Sequence, residues 1–278
     1  ITICSNAQNK RLYKGQYHRG KSQPNISLRG IAKNELITLF GTTGLAVYNG
    51  DLSGNGLGSH SYRPQGGGGA ILRTNYLGRR LYLRADVRFF RLAANDVHEG
   101  RNLNFRSSNW EFLALGQYEF FPYEKMMRRR TLINPYIYAG IGLVTFDPWG
   151  ELPNGKWHKL RPLETEHVKY GNVAFTYTAG FGLKFRYSYK WNFMIEGGYR
   201  FTTTDYIDDV SQSAYPPKSS FTNTIAMIMS NKSGSYTGQR GNPNSRDGYF
   251  MFSAGVTYTF TKFHKAKSKT SKHLLRKT

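Results

Sequence analysis

Two segments of this chain gather side chains of the kinds that bind metal ions. His158, Glu164, Glu166 and His167 share one polar stretch, and imidazole with carboxylate is a donor set for zinc or another divalent cation. Asp205, Asp208 and Asp209 form a second group, loosely like the oxygen cluster of a calcium loop. In each case a plainer chemistry competes. Loop carboxylates commonly cap backbone amides, and aspartates form Asx turns. That is the reading adopted, so no metal or other cofactor is expected. Gly66-Gly67-Gly68-Gly69 lacks the Gly-Lys-Ser/Thr ending of a phosphate loop and reads as a flexible loop. Neither G-x-S-x-G nor H-E-x-x-H occurs. Cys4 is the single cysteine, which excludes an intramolecular disulfide framework and argues against a cysteine-based zinc site. No catalytic constellation emerges, and no enzyme is expected.

The elements that carry these loops alternate. In the segment Phe250 to Phe263, residues Phe250, Phe252, Ala254, Val256, Tyr258 and Phe260 share one face. Met251, Ser253, Gly255, Thr257 and Thr259 share the other. Similar segments are expected at 35–48, 70–77, 81–90, 109–121, 135–146, 175–187 and 191–201. Aromatics make up 15% of the 278 residues. Mean hydropathy is only −0.56, and no apolar run approaches the roughly 18 residues of a membrane helix. A membrane barrel reconciles these facts, because it shows lipid only every second residue. The fold class predicted is all-β, an eight-stranded antiparallel transmembrane β-barrel with both termini periplasmic. Its lumen would be filled by a mutually neutralised set comprising Arg84, Asp86, Arg88, Glu111, Glu119, Lys184, Arg186, Glu196 and Arg200, leaving no pore.

Connection lengths give the barrel a polarity. Strands two and three, four and five, and six and seven join through short turns, and the other connections are long. In outer-membrane barrels short turns face the periplasm. The net charge of +22 is expected on that side. Residues 1–34 hold seven Lys and Arg and no acid, and so does the stretch from Lys262 onward. The short turns add Arg79, Arg80, Lys125, Arg128, Arg129, Arg130 and Lys190 against Glu124. A one-sign face this dense attracts anionic partners. An acidic periplasmic protein is favoured over lipid phosphates, and nucleic acid is disfavoured. The expected partner-binding residues are Arg79, Arg80, Lys125, Arg128, Arg129, Arg130, Lys262, Lys265 and Lys267.

The domain reading has three parts: a basic N-terminal segment, 1–34; the outer-membrane barrel, 35–263; and a basic periplasmic tail, 264–278. Ser5-Asn6-Ala7 has small residues at the positions a signal peptidase requires, so residues 1–7 are read as a possible signal remnant and the chain as exported. Lipidation at Cys4 is the alternative.

The loops carry a resemblance. Asn49-Gly50-Asp51-Leu52 and Arg101-Asn102-Leu103-Asn104-Phe105-Arg106 come first, followed by Asn134-Pro135-Tyr136 through Gly140-Ile141-Gly142. Phe146-Asp147-Pro148, Leu163-Glu164-Thr165-Glu166 and Thr204-Asp205-Tyr206-Ile207-Asp208-Asp209-Val210-Ser211 complete the order. Together, over roughly 36–262, they resemble the PorG family of outer-membrane proteins, components of the type IX secretion system. His167 and Asp147 depart from the family pattern, and the 212–247 insert is long for it. The resemblance implies a small barrel associated with a periplasmic ring of the lipoprotein PorK and the protein PorN, with no catalytic residues. An envelope enzyme or receptor acting on lipopolysaccharide through loops 147–174 and 202–248 is the second reading. A soluble ligand carrier is disfavoured, because it needs an apolar lumen and a polar exterior.

Overall fold

Each barrel strand owes its place to the alternation of its side chains, and the computed structural model shows where each pair of faces points. It describes residues 37–53, 61–74, 76–96, 100–122, 124, 127–234 and 238–260. The elements are β1 (Ile37–Asn49), β2 (Arg63–Arg73), β3 (Leu81–Asn95), β4 (Asn104–Glu119) and β5 (Ile133–Thr145). The loop strands β6 (Trp149–Glu151) and β7 (Trp157–Lys159) follow. After them come β8 (Val173–Arg186), β9 (Trp191–Thr202), the short helix α1 (Thr224–Ser230) and β10 (Gly248–Thr259). Every barrel strand pairs antiparallel with both neighbours in the order β1-β2-β3-β4-β5-β8-β9-β10, and β10 returns to β1. The ring of eight strands is closed. Closure leaves no edge whose amides lack partners, as a strand structure in lipid requires.

Inward and outward positions separate cleanly. Along β3 and β4 exposed and buried residues alternate over most of their length. Leu83, Val87, Phe89, Trp110, Phe112, Ile141, Phe175, Tyr177, Phe181, Phe193, Ile195, Phe252 and Val256 all point outward and exposed. A continuous apolar surface this large is an aggregation face in water and a lipid-facing belt in a membrane. Among the described residues no helix is long and apolar enough to cross a membrane; the strands make the crossing.

Two expectations about the elements need correction. The glycine quartet is not a loop. It lies within β2, which runs Arg63–Arg73 rather than 70–77. Close approach of the neighbours is the reason: a Cβ on Gly69 would stand 2.0 Å from the Ala85 carbonyl oxygen and 2.9 Å from the Phe40 ring. Glycine weakens an isolated strand but is the residue that fits where backbone and ring press in. The strands also run further than their aromatic faces suggest. β3 and β4 have 15 and 16 residues, against about 9–11 for a membrane crossing. Their excess carries the outward polar residues Arg91, Arg106 and Ser108 at the long-loop end.

The interior has two apolar clusters. One lies toward the short turns and includes Phe40, Ile71, Tyr82, Leu115, Tyr136 and Met194. The larger forms at the long-loop end, where Leu52, Leu160, Ile207, Val210 and Met229 from the connections join Tyr48, Phe90, Phe105 and Tyr249 from the strands. The long loops therefore fold into a packed lid over the barrel mouth.

Candidate functional site

The lumen is the first place a barrel could work, and here it is filled by paired charges. Arg84 donates to Asp86 (Nε–Oδ1, 2.7 Å) and to Glu196 (Nη1–Oε2, 2.8 Å). Arg88 Nη2 donates to the same two carboxylates at 2.9 and 2.6 Å. The Tyr136 hydroxyl adds a bond to Glu196 Oε2 at 3.0 Å, and the Arg84 guanidinium lies 4.4 Å above the Phe40 ring. Nearer the lid, Arg200 faces Glu111 at 3.6 Å, and the Tyr249 hydroxyl donates to Glu111 at 2.7 Å. Buried ions persist only when paired and hydrogen-bonded, and β3 supplies Arg84, Asp86 and Arg88 on one inward face by their two-residue spacing. The network plugs the barrel.

The lid uses the metal-candidate side chains for its own bonding. Arg240, fully buried, pairs with the Glu166 carboxylate and donates to Thr165 Oγ1 at 3.2 Å and the Ser230 carbonyl at 3.2 Å. Glu166 also accepts from the amides of Ser211 and Gln212. Arg101 donates to Asp96 at 2.5 Å, to the Asp51 carbonyl at 2.8 Å and to the Arg240 carbonyl. Two arginines thus stitch all four long connections. His167 stacks on Phe221 and shares a bond with Ser220, Glu164 faces Lys169 at 3.7 Å, and His158 sits on β7 opposite Gly150. Asp209 accepts from Thr165 and Tyr170, while Asp208 accepts from the Tyr48 hydroxyl at 2.7 Å and caps the Val210 amide. Among the described residues no three His, Cys, Asp or Glu side chains converge on a metal position.

Several lid carboxyls hold their protons unusually tightly. Burial raises Asp208 and Asp247, and their proximity on either side of the Tyr48 hydroxyl raises Asp208 further. Burial also pushes Asp205 up to about 7 and Asp209 up to about 6. The sequence does not single out Asp247, Arg240 or Tyr48, and it marks Arg101 only as part of a family-like motif, because their roles depend on contacts far apart in the chain.

The short-turn end carries the expected partner-binding side chains. Leu77–Arg79 forms a tight turn in which all three residues take positive φ, 48°, 67° and 66°, and Arg79 is exposed. Arg80 Nη1 reaches the Tyr118 hydroxyl at 3.4 Å. Met127–Arg129 is a 3-10 turn, and Arg128 and Arg129 point outward. Arg130 differs from its neighbours. It donates to the Glu124 carbonyl at 2.6 Å and the Tyr189 carbonyl at 3.1 Å, tying two turns together. The described chain begins and finishes at this same end, where the Phe260 amide bonds to the Ile37 carbonyl at 3.0 Å. Lys125, Lys262, Lys265 and Lys267 lie outside the described residues.

No protein-family model matches the chain, and no curated protein matches it in sequence. Among solved structures it is similar to Neisserial surface protein A (NspA), with 13% identity over 81% of this chain and 99% of that chain, TM-score 0.42. It is similar also to Ail, the attachment invasion locus protein of Yersinia pestis, in complex with the heparin analogue sucrose octasulfate, with 8% identity over 81% and 98% of the two chains, TM-score 0.40. A major outer membrane protein from Thermus thermophilus shows 12% identity over 81% and 98%, TM-score 0.40. The barrel assignment stands on this chain's own closed strand order and apolar exterior.

Proposed function

We propose that this chain is a non-enzymatic outer-membrane barrel subunit of the type IX protein secretion machinery. In this reading it anchors or stabilises the periplasmic ring of PorK-like lipoprotein and PorN-like protein through a basic periplasmic face. One observation carries the reading: the exposed turn arginines and both ends of the described chain lie at one end of a sealed barrel. The acid-free basic segments 1–34 and 262–278 therefore join the barrel at that end. A plugged lumen leaves surfaces, not conduction, as the means of action. Long-range attraction brings an anionic partner to such a face, and close guanidinium–carboxylate pairs fix its register. The location is the outer membrane, with the short-turn end and both termini periplasmic, and the adjoining lipid and lipopolysaccharide as surroundings.

The alternative is an enzyme or receptor for lipopolysaccharide working through the long loops; in their lid Glu166 is paired with Arg240 and Asp96 with Arg101, so these charges are engaged within the fold. The test is charge reversal. Arg128→Glu and Arg129→Glu together with Arg130→Glu should leave the barrel inserted and release it from the ring proteins. Raised salt should weaken the wild-type complex, since exposed charges are screened beyond a Debye length of about 10 Å at 0.1 M. Ring association that survives both the reversal and removal of residues 264–278 contradicts the reading.

A further inference from the structure

Beyond the lipid-facing belt, at the long-loop end, the outer wall of the barrel turns basic and concave. On β3 the outward positions run from Phe89 to Arg91 and Ala93, and on β4 from Trp110 to Ser108 and Arg106. Phe89 and Trp110 pair across the strands with ring centres 5.2 Å apart, as in an aromatic girdle. Arg91 stands opposite Ser108, and Ala93 opposite Arg106. The β6–β7 hairpin continues this face, with Trp149 opposite Arg106 and Trp157 opposite Glu151. Wall and hairpin enclose an open cavity of about 760 Å³, whose lining includes Arg63, Arg91, Arg106, Ser108, Trp149 and Trp157. The Arg106 guanidinium lies 3.9 Å from the centre of the Trp157 ring. Stacking fixes the guanidinium plane and leaves its N–H edge to donate. Two carboxylates share the lining, and both face cations of the long connections. Asp147 pairs with Lys159 Nζ at 2.7 Å and faces Arg161 at 3.8 Å, while Glu151 interacts electrostatically with Lys232. Arg63, Arg91 and Arg106 are exposed and make no ion pair among the described residues.

We propose that this cavity binds the phosphorylated sugar headgroup of a lipopolysaccharide molecule standing beside the barrel in the outer leaflet. Height selects the layer. With a rise of about 3.4 Å per residue and a tilt of about 40°, Arg91 and Ser108 lie roughly 5 Å beyond the Phe89–Trp110 pair, and Arg106 roughly 10 Å. Aromatic girdles mark the edge of the hydrocarbon, so these arginines stand among headgroups. Charge selects the chemistry: guanidiniums recognise phosphate through paired N–H donors, and basic pockets at headgroup level hold lipid phosphates in the same way. Size selects the sugar. A recess within the range of about 300–1,000 Å³ takes a small-molecule-sized group rather than a lone phosphate, and the two indoles give it flat, amphipathic walls. The chain's own basic segments join the barrel at the opposite end and do not compete. The inference rests on the barrel standing in the outer membrane with its long loops outward, and it adds to the periplasmic contact a grip on lipid at the other end. The lipid is held there, not transformed.

Native mass spectrometry of the purified full chain in neutral detergent, titrated with bisphosphorylated lipid A, tests it. Retained lipid A is expected, and Arg91→Gln with Arg106→Gln should weaken its binding by about tenfold or more. Ser108→Glu, which sets a carboxylate beside both arginines, is an independent variant and should weaken it by a similar factor. Arg128→Gln with Arg129→Gln, at the far end of the barrel, should change it by less than about threefold. Lipid A stripped of its phosphates, and phosphatidylglycerol, should each bind the wild-type chain about tenfold or more weakly than intact lipid A. Heat-modifiable gel mobility shows that each variant is folded. Binding that is absent, or unchanged in both the double variant and Ser108→Glu, overturns the site. So does equal retention of phosphatidylglycerol or of phosphate-free lipid A, and so does displacement of lipid A by a hexaglutamate peptide, which would make the cavity a protein-docking site. Failure here leaves ring association untouched, whereas failure of the ring reading is a ring retained after the turn reversal.

Discussion

An arginine placed on the outer wall of β10 should report depth in the membrane. Val256 points outward between Gly41 of β1 and Phe193 of β9. On the same face Tyr258 packs edge-on against Trp191 at 4.8 Å, marking one aromatic girdle. Phe250 approaches the other, where Tyr199 and Phe201 pack at 4.6 Å. With a rise of about 3.4 Å per residue and a tilt of about 40°, each residue climbs roughly 2.6 Å along the membrane normal. Ala254 then lies midway between the girdles, and Val256 about 5 Å toward the short turns. An arginine costs about 2–4 kcal/mol at the midplane, falling to about 0–1 at the interface. Ala254→Arg should therefore cost about 2–4 kcal/mol and Val256→Arg about 1–3 kcal/mol. Thr257 is the control. It faces the lumen fully buried, and its hydroxyl accepts from Asn192 Nδ2 at 3.0 Å. Thr257→Ser keeps that bond and removes one methyl group, for about 1 kcal/mol. Urea titrations of the barrel folded into liposomes, followed by tryptophan fluorescence, measure all three. Arginines tolerated without cost on this face, or a Thr257→Ser penalty matching Ala254→Arg, would refute the register.

Other expectations follow from the lumen and the lid. Glu196→Gln leaves Arg84 and Arg88 sharing Asp86 alone and should destabilise the barrel by about 3–5 kcal/mol in the same assay. Glu166→Ala strands the buried Arg240 and should open the lid by a comparable amount, about 3–5 kcal/mol; proteolysis within 203–247 should quicken while the barrel's gel mobility is unchanged. The lid should also loosen as pH rises. Below about pH 4 both the closed and opened forms hold the aspartate protons; above it the opened form releases them while the closed form keeps them. Stability is thus lost through the folded values of about 6 for Asp209 and about 7 for Asp205. Hydrogen exchange across 203–247, corrected for intrinsic rates, should be faster at pH 7.5 than at pH 5, and the reverse order contradicts this. A chelator should leave the thermal midpoint of the purified barrel unchanged, since Glu166 and Asp209 spend their oxygens on Arg240, Thr165 and Tyr170.

What could be read from the sequence was whatever depends on period two. The outward faces of β4, β8, β9 and β10 and the inward Arg84, Asp86 and Arg88 follow from alternation alone. β2 escaped because four consecutive glycines have no side chains to alternate, and their fit depends on Phe40 and Ala85 from neighbouring strands. The upper ends of β3 and β4 escaped because polar residues replace aromatics once the wall leaves the lipid. The lid was invisible for a third reason. Tyr48 and Asp247 are 199 residues apart, and Arg240 meets Glu166 across 74. No local pattern marks such pairs. At the short-turn end the charge was legible but its division was not: Arg128 and Arg129 are offered to solvent, whereas Arg130 clamps two turns.

Detergent pull-down of this chain from native envelopes, followed by mass spectrometry, tests the central claim most directly. The account predicts co-purification of a PorK-like lipoprotein and a PorN-like periplasmic protein with the folded wild-type barrel, and their loss from the Arg128→Glu, Arg129→Glu, Arg130→Glu variant. A folded barrel recovered without either ring protein, under conditions that keep the ring itself intact, would contradict it.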